Sequence, residues 1–277
     1  MAAPIVAIQG ERGSFSEEAA YKLLGRGIRV QPCETFAATF RSVASGKTKY
    51  CLVPIENTLA GSVYEVYDLL LENNLHIVGE VELRVVHSLI VFPETTPKNL
   101  RQVYSHPVAL AQCSRFFVQH PKVEKIPFYD TAGSVKMLAE RRMAGAAAIA
   151  SRTAASVYRA RILQTHLEDH RENFTRFLLL HRAPSVPARA DKTSIVFSTR
   201  HVPGALFKCL SVFALRDINL TKMESRPLRG RPWEYFFYLD FLGNTKEERC
   251  RKALAHLGEV ADFLRVLGCY KSAKRAR

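Results

Sequence analysis

From residue 5 to residue 180 short apolar runs alternate with stretches whose apolar side chains recur every three or four positions, and this alternation constrains the fold more than any other feature. The runs at 5–9, 50–54, 76–81, 85–92, 102–104, 146–150 and 177–180 predict strands. The spacings at 17–24, 36–44, 63–71, 108–119 and 134–142 predict helices. Strand and helix in turn imply an α/β unit on a largely parallel sheet, or on two such sheets. The rhythm stops at 183–191, where Pro184 and Pro187 stand among small residues and mark a linker. Strand, helix, strand, strand, helix and strand are then expected at 193–199, 204–215, 219–224, 234–241, 246–257 and 263–268, the βαββαβ order of a ferredoxin-like unit. The expected domains are therefore 1–182 and 192–277, which suits a chain of 277 residues, long for one core and short for three.

Several functional classes lose support at once. No apolar run approaches the roughly 18 residues of a membrane helix. The start, Met1-Ala2-Ala3-Pro4, lacks the basic opening and long apolar core of a signal peptide, so a cytoplasmic protein with no membrane partner is expected. Cys33, Cys51, Cys113, Cys209, Cys250 and Cys269 form no Cys-x-x-Cys pair; they read as reduced core residues, with Cys113, seven positions after His106, a weak alternative nucleophile. The net charge is +14, with 18 basic and 9 acidic side chains in 183–277 and 22 and 17 in the remainder. Its dense cluster, Lys271, Lys274, Arg275 and Arg277, reads as a solvated tail, and no basic stripe interleaved with aromatics marks a nucleic-acid surface. Without a phosphate loop, a Gly-x-Gly-x-x-Gly turn or a His-Glu-x-x-His helix, neither a cofactor nor a metal is expected.

What remains is a set of junctions between strands and helices. Ser14 with Glu17 and Ser62 with Glu65 fit capping boxes, Ser105-His106-Pro107 puts proline at a first helical position, and Asp130-Thr131 precedes a further helix. Several helix starts at strand ends make a pocket for a small carboxylate-bearing ligand, and Asn173, Thr175 and Arg176 add another polar cluster.

At these junctions the chain resembles the prephenate dehydratases over essentially its whole length. Gln9-Gly10-Glu11-Arg12-Gly13-Ser14-Phe15-Ser16-Glu17 is similar to that family's opening loop, with Ser14-Phe15 where Ala-Tyr is more usual. Pro54-Ile55-Glu56-Asn57-Thr58 with Gly61-Ser62-Val63, Ser105-His106-Pro107 through Ala111-Gln112-Cys113, and Asn173-Phe174-Thr175-Arg176-Phe177 resemble further family segments in the same order. Lys47-Thr48-Lys49 departs from the family, where an acidic or small residue is common, and bears on surface charge. Gly204-Ala205-Leu206-Phe207 and Glu224-Ser225-Arg226-Pro227 resemble segments of phenylalanine-responsive ACT domains.

The resemblance implies a two-lobed, periplasmic-binding-protein-like catalytic domain with a cleft between its lobes, followed by a ferredoxin-like ACT regulatory domain. It implies decarboxylative dehydration of prephenate to phenylpyruvate without a cofactor, by a monofunctional enzyme. The lack of a transit-like segment favours prephenate over arogenate; a non-catalytic amino-acid sensor is the more distant alternative. By resemblance Thr175 donates toward the leaving hydroxyl and Asn57 and Gln112 orient the ring substituents. Arg176, Phe177, Glu56, Ser14, Ser62, Ser105, His106 and Thr131 bind or frame the substrate, although the alternation of Phe174 and Phe177 also fits core positions. An L-phenylalanine effector is expected at an interface between two C-terminal units of a homodimer or homotetramer, held by Gly204, Ala205, Leu206, Phe207, Asn219, Leu220, Glu224, Ser225, Arg226 and Pro227.

Overall fold

A computed structural model describes residues 3–228 and 230–273. The basic tail residues Lys274, Arg275 and Arg277 lie outside the described residues. The first lobe is built from β1 (Ile5–Gln9), α1 (Phe15–Leu24), β2 (Arg29–Cys33), α2 (Phe36–Ala44), β3 (Tyr50–Asn57), β4 (Gly61–Ser62), α3 (Tyr64–Glu72) and β5 (His76–Arg84). The second contains β6 (Ser88–Val91), β7 (Gln102–Ser105), α4 (Pro107–Gln112), α5 (Ser114–Gln119), β8 (Glu124–Pro127), α6 (Thr131–Arg141), β9 (Ala146–Ala150), α7 (Arg152–Val157) and β10 (Arg161–Thr165). Strand β11 (Phe174–His181) then returns to the first lobe.

The first sheet has the order β2-β1-β3-β11-β5 with β4 paired to β3, and the second the order β10-β6-β9-β7-β8. Both are mixed, where the sequence led us to expect largely parallel sheets. The cause is the double crossing of the chain: β11 runs back between β3 and β5 and is antiparallel to both, and β6 enters the second sheet antiparallel to β9 and β10. The single strand expected over 85–92 is shorter for the same reason, since residues 85–87 carry the chain between lobes. Besides the two-residue β4, the strands that went unread, β2, β8 and β10, are edge strands with exposed polar side chains and little apolar alternation. The helix expected over 108–119 is divided at Cys113, whose ψ of 34° breaks the helical path.

Small residues set the lobes close together. The strand Ala146–Ala150 is buried along its whole length, and alanine lets α6 lie directly on it. Gly13 has φ +83°, and a Cβ there would stand 2.6 Å from Ala154 Cα in α7, while Ser151 Oγ donates to the Gly13 carbonyl at 2.6 Å.

The C-terminal unit follows the expected βαββαβ order as β12 (Lys192–Ser198), α8 (Ala205–Ala214), β13 (Leu220–Pro227), β14 (Tyr235–Leu242), α9 (Glu248–Val260) and β15 (Phe263–Tyr270), with sheet order β13-β14-β12-β15. Both helices cover one face of this sheet, burying Cys209, Val212, Phe213, Cys250, Ala253 and Leu257. The other face lies on the first lobe, where Val196, Tyr238, Leu267 and Tyr270 share one core with Tyr67, Leu70 and Ile77. Gly268 is required at this seam, because a Cβ would run into the Ile77 carbonyl. No helix among the described residues is long and apolar enough to cross a membrane.

Candidate functional site

The two crossings between lobes are tied to each other: Val85 N donates to the Asn173 carbonyl at 2.7 Å and Leu167 N to the His87 carbonyl at 3.1 Å. Beside them lies a cavity of about 450 Å³, within the range of small-molecule sites. Thr175, Asn57 and Ser62 line it from the first lobe; His106, Gln112 and Thr131 line it from the second, with His87 on the outgoing crossing. Thr175, Asn57, Gln112, Ser62, His106 and Thr131 are thus brought to one cavity.

Carboxamides join its two walls. Asn57 is anchored by backbone groups of unambiguous polarity: its Oδ1 accepts from Leu59 N at 3.0 Å and Ala60 N at 2.8 Å, and its Nδ2 donates to the Phe174 carbonyl at 3.1 Å. The same nitrogen donates to Asn173 Oδ1 at 2.8 Å and to Thr175 Oγ1 at 2.9 Å. Gln112 Nε2 donates to Asn57 Oδ1 at 3.3 Å, and Asn173 Nδ2 donates to Gln112 Oε1 at 2.9 Å, closing a triangle of amides. Thr175 Oγ1 can only accept from an amide nitrogen, so its own proton stays available to a ligand in the cavity.

Neither lysine nor arginine lines the cavity among the described residues. Positive potential comes from helix starts instead. Asp130 caps α6 by accepting from Gly133 N at 2.6 Å, and His106 caps α4 through Nδ1, which accepts from Val108 N at 3.3 Å, just before Pro107. Helix α3 begins at Val63 without a side-chain cap. The capping box expected at Ser62 and Glu65 is therefore not formed: Ser62 Oγ turns to the C-terminal unit, donating to Glu224 and accepting from Lys222 Nζ at 3.2 Å. Burial lowers the pKa of His106 and of His87, which favours neutral imidazoles, and burial raises that of Asp130.

Five expected substrate residues lie elsewhere. Ser14 is buried as the cap of α1, accepting from Glu17 N at 3.4 Å, and Ser105 is buried with its hydroxyl on the Ile149 carbonyl at 2.5 Å. Phe177 belongs to the first-lobe core with Val6, Ile8 and Leu52. Arg176 is 7% exposed and its guanidinium lies in the seam, 2.6 Å from both Glu80 Oε2 and Asp240 Oδ2 and 3.0 Å from the Tyr270 hydroxyl. Glu56 is in the same network, 3.4 Å from Arg176 and 2.7 Å from Lys222. The reason is strand periodicity: with Thr175 facing the cleft, its neighbour must leave the opposite face. Cys113 is fully buried and its thiol pKa is pushed up by burial, which leaves it unreactive.

Gly204, Ala205, Leu206 and Phe207 open α8 and line a separate hollow of about 450 Å³ together with Trp233. Asn219, Leu220, Glu224, Ser225, Arg226 and Pro227 do not line it. The Asn219 carbonyl accepts from Leu242 N, and Leu220 packs on the unit's own core. Glu224 and Arg226 engage the first lobe, Arg226 through paired contacts to Asp68 at 3.0 and 2.9 Å; Ser225 and Pro227 are exposed. Sequence reasoning overlooked His87, although a lone imidazole inside the apolar run 85–91 was a visible signal, and Trp233, which lies far from the 204–207 turn in sequence.

The profile of the family described as "Prephenate dehydratase" matches residues 6–185. "Arogenate dehydratase/prephenate dehydratase 2, chloroplastic" of Arabidopsis thaliana is 47% identical over 276 residues, which cover 96% of this chain and 72% of that protein. A prephenate dehydratase of Arthrobacter aurescens, solved in complex with L-Phe, has a TM-score of 0.89 at 30% identity, covering 96% of this chain and 89% of that one. A structure described as "GqqA- a novel type of quorum quenching acylases" has a TM-score of 0.91 at 33% identity, covering 99% of this chain and 100% of that one. Matched by the family profile across its first two lobes, and by relatives along nearly all its length, the chain belongs to the prephenate dehydratase family.

Proposed function

We propose that residues 1–182 form the catalytic domain and convert prephenate to phenylpyruvate, with the proton of Thr175 directed at the leaving hydroxyl. The carbon–carbon bond to the ring carboxylate breaks to release CO2, its electron pair enters the ring, and the carbon–oxygen bond breaks. The departing hydroxide takes up one proton, finally from solvent, and leaves as water. Aromatisation supplies the driving force, so the enzyme's task is to orient the dianion, keep water out and stabilise charge on the departing oxygen. A threonine hydroxyl is a poor acid, and its part is hydrogen-bond donation to developing charge.

The observation that carries this reading is the Thr175 hydroxyl, supplied by Asn57 with a donor and left with a free proton in a cavity that no lysine or arginine lines among the described residues. Asn57 and Gln112 orient the ring substituents. The uncapped start of α3 beside Ser62, with His106 and Thr131 opposite, frames the carboxylates. An acylase chemistry has less support, since the Ser105 hydroxyl is spent on a carbonyl and the Cys113 thiol is buried.

Arogenate is the second reading, and Asp130 is the observation that favours it: this cavity-lining carboxylate can meet an ammonium group. Residues 192–277 are assigned to an ACT-type regulatory domain, joined by 183–191, that takes phenylalanine between two copies of the chain. The exposed Val202, Phe207, Leu215 and Trp233 support such a contact. Incubation with prephenate, followed by the ultraviolet absorbance of phenylpyruvate, tests the first reading, and a parallel incubation with arogenate, scored as phenylalanine formed, tests the second. Product from neither overturns both. Equilibrium dialysis with phenylalanine tests the effector; no binding to active enzyme would leave the C-terminal unit a dimerisation module.

A further inference from the structure

We infer that His87 is a positioning residue for the elimination, one that fixes through Gln112 and Asn57 the direction in which Thr175 offers its proton. The inference rests on the reading of Thr175 as donor to the leaving hydroxyl. Its starting point is an imidazole that is 2% exposed, lines the cavity, and has one nitrogen, Nδ1, without a partner among the described residues. The other nitrogen, Nε2, lies 3.0 Å from Gln112 Oε1.

The polarity of every link follows from the backbone. Leu59 N and Ala60 N donate to Asn57 Oδ1, so that atom is the oxygen. The Gln112 atom facing it is then the nitrogen, and Gln112 presents its oxygen to His87. An amide oxygen only accepts, so His87 is protonated on Nε2 and bare on Nδ1. Donation runs one way, from His87 to Gln112, from Gln112 to Asn57, from Asn57 to Thr175, and from Thr175 into the cavity, and bonds aligned in this sense reinforce one another. His87 is itself held in place: its backbone N donates to Glu168 Oε2 at 2.9 Å and its ring meets Phe15 edge-on with centroids 5.5 Å apart. Without this donor, Gln112 keeps only Asn173 on its oxygen and can rotate, placing its nitrogen where the imidazole stood and its oxygen against Asn57 Oδ1.

The test compares His87→Leu and His87→Gln in the full-length chain with prephenate as substrate. His87→Leu is expected to lower kcat roughly 10-fold, well short of the roughly 100- to 1,000-fold loss for Thr175→Ala, with KM changed less than about twofold. His87→Gln, which retains an N–H donor, is expected to recover most of that loss. In a Gln112→Ala background His87→Leu is expected to cost nothing further, because its effect passes through Gln112. Nitrogen-15 NMR of histidine-labelled wild-type protein is expected to show His87 neutral and protonated on Nε2, a readout that does not depend on any variant folding. Unchanged kcat in folded His87→Leu, additive losses with Gln112→Ala, or a proton on Nδ1 would each overturn the inference while leaving the role of Thr175 intact. Full turnover by Thr175→Ala would instead remove the reading on which it stands.

Discussion

Thr175 and Arg176 are neighbours on β11, yet they stand in opposite kinds of surroundings. On the cleft side the polar groups that lead to Thr175 are neutral amides, an imidazole and a hydroxyl, each oriented by the next. On the seam side they are ions: Arg176 and Lys192 against Glu80 and Asp240, with Tyr270 and Ser194 closing the set. The contrast separates two tasks. Neutral donors give direction to a proton without attracting counter-ions into the cleft, whereas buried ions lock two units in one orientation, because a slipped arrangement strands unpaired charge. The seam and the cleft also touch, since Glu224 and Lys222 on β13 reach Ser62, a wall residue of the cavity.

The strongest way to break this division is Arg176→Met. It leaves Asp240 and Glu80 buried without their arginine, and a loss of about 3–5 kcal/mol is expected in urea unfolding. Turnover of the fraction that stays folded is expected to fall far less, and a collapse of kcat at unchanged stability would move Arg176 back into catalysis. Thr175→Ala is expected to do the converse, lowering kcat roughly 100- to 1,000-fold with the thermal midpoint nearly unchanged. Retention of normal turnover would take the hydroxyl out of the mechanism.

Acid sharpens the comparison further. Burial pushes the Asp240 carboxyl up, but Arg176, Lys192 and the Ser194 hydroxyl outweigh it and hold it below the ordinary carboxylate range. A group whose pKa is lower in the folded state contributes stability that is complete above its unfolded pKa and disappears as pH falls through the folded value. Urea midpoints measured from about pH 6 down to about pH 3 are therefore expected to drop at the acid end, and Asp240→Asn to flatten that limb. A variant that keeps the wild-type slope would assign the acid sensitivity elsewhere. Glu224→Gln is the mildest test. It removes the charge from the acceptor of the Ser62 hydroxyl without opening the seam, and a partly exposed contact of this kind is worth no more than about 1 kcal/mol, so a KM change below about fivefold with nearly unaltered stability is expected. A large stability loss would mean that β13 holds the seam as Arg176 does.

The order of elements along the C-terminal unit was legible because short apolar runs such as Ile195-Val196-Phe197 and Tyr235 to Leu239 mark strands, while apolar spacings of three and four, as at Cys250, Ala253 and Leu257, mark helices. The division at 183–191 was legible from its prolines. The edge strands β2, β8 and β10 were not, since each is only four or five residues long and has too few apolar side chains to set a period. Thr175, Asn57 and Gln112 were found as residues through their motifs, but Arg176 was misplaced along with them, because a motif names neighbours in sequence and a strand sends neighbours to opposite faces. His87 and Trp233 belong to no motif and acquire their setting only by contact.

Local pattern and motif alone thus determined the family resemblance, the types of most elements and the three residues nearest the proposed chemistry. Which face each side chain takes, that the return strand runs antiparallel between β3 and β5, and that ions fill the seam while amides fill the cleft were decided by the tertiary structure. The physical reason is that burial and hydrogen-bond polarity are properties of what surrounds a group, and in this chain those surroundings come from segments such as Asn57 and Thr175, or Arg176 and Asp240, that are remote in sequence.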